Sequence, residues 1–242
     1  MDWAWENRST ILDLLWQHTW LSLVPIVIGF VVAVPIGWYA SRHPRLRGVL
    51  LGAGSVLYTI PSLALFVTLP GIIGTGFLDP LNVVVALSIY AVAIMVRTAA
   101  DAFEAVSPAV LDAATATGFS SRQRGFGVEL PLAGPVLLAG VRVVSVSTIS
   151  LVSVGALIGV SSLGSLFTSG FRRDFLTEIV VGLVGIVVLA LLIDALLVLV
   201  GRLTMPWSRP SGRAGGASWR RLAGPATRGP GVVAASGGDG DA

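Results

Sequence analysis

Cysteine and lysine are both absent from this 242-residue chain. Without cysteine there is no disulfide framework and no thiolate metal site. All sixteen basic residues are therefore arginine. Charge of either sign is scarce, at 12% of residues, where soluble domains carry about 25%. Histidine occurs only as His18 and His43, at opposite ends of one apolar run, so the two cannot share a metal or a catalytic base. The His-Glu-x-x-His zinc pattern, the phosphate-cradling glycine loop and the nucleophile elbow are missing as well. These absences argue against an enzyme, and no cofactor is expected in this chain. Any ATP hydrolysis has to be done by a partner.

What fills the space is apolar. The chain is 54% hydrophobic with a mean hydropathy of +0.85, which points to membrane spans and a lipid bilayer as the surroundings. An isoelectric point near 10.2 could suggest nucleic acid. The arginines, however, sit in loops beside apolar runs and in the C-terminal tail, with no basic and aromatic reading surface, so no nucleic-acid partner is expected.

The pattern predicts an all-α polytopic membrane protein of five spans, at about 20–40, 48–69, 81–105, 135–160 and 179–201. Ahead of them, residues 1–18 read as an extracytoplasmic segment with a short surface helix capped by Ser9 or Thr10. No small-x-small cleavage site follows it, so no removable signal is expected. Pro61 should kink the second span, and Arg142 should fall in the first turns of the fourth. The charge-free stretch running on to Phe171 exceeds one span and predicts a short re-entrant or surface piece. Residues 204–242, rich in Pro, Gly, Ser, Ala and Arg, read as a disordered basic tail. Placing the N-terminus outside and the C-terminus inside a bacterial cytoplasmic membrane collects most arginines on the inner side, as the positive-inside rule asks.

One polar island, residues 107–131, interrupts the apolar runs between spans three and four. Asp112 followed by two alanines reads as a helix start, Gly118 as its stop, and Ser120 or Ser121 as the cap of a second short helix. The spacing Asp112-Ala113-Ala114, three residues, Gly118, nine residues, Val128-Glu129-Leu130-Pro131 resembles the coupling loop of ABC importer permeases. That loop reads Glu-Ala-Ala, three residues, Gly, nine residues, Ile-x-Leu-Pro, so Asp replaces Glu and Val replaces Ile here. Further runs resemble the glycine betaine/carnitine/choline branch of the type I, binding-protein-dependent permeases. They are Tyr58-Thr59-Ile60-Pro61-Ser62-Leu63-Ala64-Leu65, Ile94-Met95-Val96-Arg97 and Glu129-Leu130-Pro131-Leu132, with Ala139-Gly140 and Arg142.

The resemblance implies the fold of that permease family. It also implies a second permease chain, two cytoplasmic ATPase subunits that bind the ATP, and an extracytoplasmic solute-binding protein. Asp112, Ala113, Ala114, Gly118, Glu129, Leu130 and Pro131 would then couple to the ATPase, with Pro131 restarting the chain into span four. Candidates for the translocation path are Tyr58, Pro61 and Ser62 in span two, with Ser145, Thr148 and Ser153 in span four. Such hydroxyls also commonly serve helix packing or bond their own backbone. Asp194, costly inside a span, is expected near the cytoplasmic end of span five, paired with an arginine. Two other readings compete: an importer for an amino acid such as methionine, and a membrane scaffold or sensor that transports nothing.

Overall fold

Long apolar runs without competing caps become long helices. The computed structural model describes residues 2–208, and among these every regular element is helical. Helix α1 (Asp2–Glu6) leads into α2 (Arg8–Ala40). The expected surface helix and first span are thus one rod of 33 residues, and the preceding Asn7 makes no side-chain cap. Ser9 and Thr10 lie inside it: nothing between them and Trp20 breaks a helix, and extending an existing helix costs less than starting a new one. Pro25 and Pro35 are accommodated within the rod.

The second span is broken rather than kinked. Helices α3 (Pro44–Thr59) and α4 (Ser62–Ile73) meet at 100°. Pro61 removes a backbone donor and drives Ile60 into an extended conformation, ψ 128°. The freed Ile60 carbonyl accepts a hydrogen bond from the Tyr90 hydroxyl at 2.6 Å, which satisfies the break from a neighbouring helix.

Helix α5 (Pro80–Glu104) starts cleanly, because Asp79 caps it by accepting from the Leu81 amide and Pro80 occupies its first turn. It is the centre of the bundle. Small residues let α2 lie directly on it: a Cβ added to Gly37 would stand 2.4 Å from Ala99 Cβ, and one added to Gly29 2.6 Å from Ala91 Cβ. Met95, Ala99 and Phe103 of α5 continue the core towards the next span.

Between α5 and that span come α6 (Pro108–Ala116), α7 (Ser121–Arg124) and a π-helical turn, Gly125–Glu129. Helix α8 (Leu130–Val152) follows without interruption, adding Ala133, Leu137 and Val144 to the core, and ends in a 3-10 turn, Ser153–Ile158. Span four therefore begins before the expected residue 135, and Arg142 sits in its middle instead of its first turns. Pro131 does not restart the chain. The helix already runs from Ser121, and the wide turn, closed by the Leu130 amide on the Gly125 carbonyl, precedes the proline. The predicted extra segment is a short helix, α9 (Ser165–Arg172), which buries Leu166.

Helix α10 (Leu176–Thr204) closes the bundle, followed by a 3-10 turn, Pro206–Ser208. Asp194 lies ten residues from its C-terminal end, about 15 Å at the helical rise, well inside the span and not near its end as expected. Among the described residues four helices are long and apolar enough to cross a membrane, and five spans result if the bent pair α3–α4 is one of them. From residue 209 onwards the basic tail lies outside the described residues.

Candidate functional site

The polar island folds as two short helices standing off one end of the bundle. Helix α6 starts at Pro108, so Asp112 falls in its fifth position instead of opening it. Proline fits the first turn, where its missing N–H has no partner to lose, and that preference outweighs the pull of an acid. Helix α6 buries none of its residues, and Asp112 and Ala113 are exposed while Ala114 is half-buried. Gly118 ends it in the left-handed region, φ 89°. The Phe119 amide reaches back to the Ala114 carbonyl at 3.1 Å and the Gly118 amide to Thr115 at 3.0 Å, a closed Schellman turn. Ser120 then caps α7 reciprocally with Gln123. Val110, Phe119 and Phe126 remain exposed, Phe126 at 76%.

Glu129 ties this loop to the spans. Its side chain is 4% exposed and accepts from three residues. Arg42 donates to both carboxylate oxygens, at 2.6 Å to Oε1 and 2.9 Å to Oε2. Trp38 Nε1 donates to Oε2 at 3.0 Å, and Arg124 Nε to Oε1 at 3.1 Å. The Arg42 guanidinium also stacks on the Trp38 ring, 3.7 Å from its centroid. Arg124 reaches the other way as well, donating to Thr115 Oγ1 of α6 at 3.0 Å. A continuous polar chain thus runs from α6 through Arg124 and Glu129 to Arg42, just past the end of α2. A buried carboxylate that has gained such donors is costly to strip of them. Leu130 and Pro131 are half-buried just beyond.

Trp38, Arg42 and Arg124 carry this junction, yet no motif in the sequence singles them out. Their separation, 87 residues between Arg42 and Glu129, gives no local pattern. The one available signal was an acid, Glu129, entering an apolar run.

On one flank of the bundle an open cleft of about 440 Å³ lies between α3, α5 and α8. Ser55, Tyr58, Arg97, Thr98 and Ser147 supply its polar lining. Of the expected path residues only Tyr58 opens onto it, and Pro61 and Ser62 stand at the break just beyond. Ser145 and Thr148 are buried, with Ser145 donating to the Val141 carbonyl of its own helix. Ser153 is half-buried and turned onto the Ser150 carbonyl. Asp194 has its arginine: Arg142 Nε and one terminal nitrogen hold its two oxygens at 2.6 and 2.8 Å.

Among the described residues, a bundle of four long apolar helices and one broken pair, with an exposed two-helix loop locked to its end, makes a polytopic membrane protein. Residues 15–210 match the family described as binding-protein-dependent transport system inner membrane component, and the chain belongs to it. It is accordingly a multi-pass inner-membrane transport component, not an enzyme.

Relatives include the osmoprotectant import permease protein OsmW of Salmonella typhimurium, 32% identical over 79% of this chain and 90% of that protein. The carnitine transport permease protein OpuCB of Listeria monocytogenes is 31% identical over 78% and 85%. The choline transport system permease protein OpuBB of Bacillus subtilis is 28% identical over 83% and 91%. Among solved structures, the inward-facing MetNI methionine ABC transporter superposes with a TM-score of 0.67 over 83% of this chain and 96% of its own. At 18% identity it speaks for the fold alone.

Proposed function

We propose that this chain is the permease subunit of an ATP-driven importer of osmoprotectants, solutes of the glycine betaine, carnitine and choline class. The observation that carries the reading is the similarity to permeases of osmoprotectant, carnitine and choline transport, at 28–32% identity along most of both chains. The methionine reading rests on a fold likeness only. In this reading α6 and α7 are the surface offered to a cytoplasmic ATPase, with Ala113, Ala114 and Phe119 seated in its groove. Ala113 is small and exposed, which permits close approach, and the exposed Phe119 ring offers an apolar contact. The arginines at the loop end, Arg42, Arg45, Arg47, Arg122 and Arg124, support a cytoplasmic location for it. A second permease chain completes the path, and a solute-binding protein delivers the cargo from outside.

ATP-driven motion of the loop would reach the spans through Arg124, Glu129 and Arg42, which join α6 to the corner between α2 and α3. The mechanism is then an alternation of the cleft's exposure between the two faces. The test is uptake by a strain without osmolyte importers that expresses this permease with its ATPase and binding protein. Accumulation of labelled betaine, carnitine or choline, lost in Gly118→Asp, is the expected result. No accumulation of any of them, with no ATPase co-purifying in mild detergent, would overturn the reading.

A further inference from the structure

The cleft between α3, α5 and α8 holds a cation without a counter-ion. Arg97 is exposed into it from seven residues inside the C-terminal end of α5, about 10 Å along the helix axis. Arginines on a membrane-spanning helix ordinarily pair or face water. Arg142, the other arginine in the body of a span, takes Asp194 in a two-point pair. The natural partner of Arg97 is Asp101, four residues on along the same helix face. Arg47 occupies that position instead: it pairs with Asp101 and also with Glu104 at 3.0 Å. Arg97 makes no hydrogen bond or ion pair among the described residues. It shares the cleft with Tyr58, whose ring is half exposed and meets Tyr90 edge-on at 5.9 Å, and with Ser147.

A guanidinium offers a planar fork for a carboxylate, and a tyrosine face attracts a quaternary ammonium. The two stand in one cleft of about 440 Å³, within the roughly 300–1,000 Å³ of small-molecule sites. We infer that Arg97 and Tyr58 form a subsite for zwitterions carrying both a carboxylate and a quaternary ammonium, such as glycine betaine or carnitine. Choline has no carboxylate and leaves Arg97 unneutralised beside its own positive charge. The inference rests on the reading that this cleft belongs to the translocation path, and it narrows the cargo within the osmoprotectant class.

The experiment uses the complete transporter in proteoliposomes, with labelled glycine betaine, carnitine and choline as probes. Losing one charge-assisted contact is expected to lower betaine and carnitine uptake by about tenfold or more in Arg97→Gln. Arg97→Lys, which keeps the charge, should recover part of the uptake. The inference is overturned if Arg97→Gln keeps betaine uptake within about twofold of the unmodified protein, where a lost charged hydrogen bond predicts more. It is equally overturned if Arg97→Lys falls as far as Arg97→Gln. The unmodified transporter decides independently of either variant: choline carried as fast as betaine removes the inference and leaves the osmoprotectant reading standing. Uptake of none of the three probes by an ATP-hydrolysing complex removes both.

Discussion

Two of the arginine–carboxylate clusters among the described residues, one at the loop junction and one in mid-span, are built differently. At the loop junction Glu129 is nearly inaccessible and receives donors from Trp38 and Arg42 at the end of α2 and from Arg124 of α7, two distant stretches of chain. In mid-span, Arg142 donates two hydrogen bonds to the Asp194 carboxylate, and both keep part of their surface open. The first is a hub: removing its carboxylate strands two arginines at once. The second is a closed pair that satisfies itself and joins only α8 to α10. A hub can carry displacement from one element to another, whereas a self-contained pair fixes only two neighbours.

The largest effect is accordingly expected at Glu129. Glu129→Ala should cost about 3–5 kcal/mol, the range for breaking a buried pair by removing one partner. Thermal unfolding of the permease in detergent would read this directly. At the second cluster the order of effects reverses between single and double changes. Arg142→Leu or Asp194→Leu alone should lower expression and stability, while the two together should return most of the loss, because an apolar pair suits the span. A double variant as poor as the singles would show that the pair has more than a local role.

Smaller effects sharpen the contrast between loop and junction. At Gly118 a Cβ meets nothing within 4 Å, so Gly118→Ala is charged only for its left-handed backbone, about 1–2 kcal/mol. That strain should show as reduced uptake and ATPase association with little change in the unfolding of the spans. Tyr90→Phe removes the hydroxyl that satisfies the Ile60 carbonyl at the break, a loss of about 1 kcal/mol. It should appear as a small fall in melting temperature, with the loop unaffected.

The sequence made the spans legible, because apolar length is read directly, and the loop's Gly118 and Ser120 behave as their local chemistry says. Helix boundaries were less legible where two signals competed. Pro108 outranked Asp112 as a start, and the uninterrupted rod of α2 absorbed the caps at Ser9 and Thr10. The angle at Pro61 could not be read locally either, since it depends on Tyr90 arriving from another helix. For the same reason Trp38, Arg42 and Arg124 gave no hint of their common partner. Their meeting is a product of packing α2 against α5 on Gly29 and Gly37, and of the π-helical turn that aims Glu129 inward.

In the proposed mechanism the Glu129 hub transmits loop motion to the spans. The most direct measurement is the ratio of solute moved to ATP hydrolysed in proteoliposomes, comparing Glu129→Gln with the Arg142→Leu/Asp194→Leu double variant. Glutamine keeps the shape of residue 129 but gives up the charge that gathers both arginines. The expected result is an assembled complex whose ATP hydrolysis no longer drives uptake in Glu129→Gln, and a near-normal ratio in the double variant. An unchanged ratio in Glu129→Gln would contradict the claim.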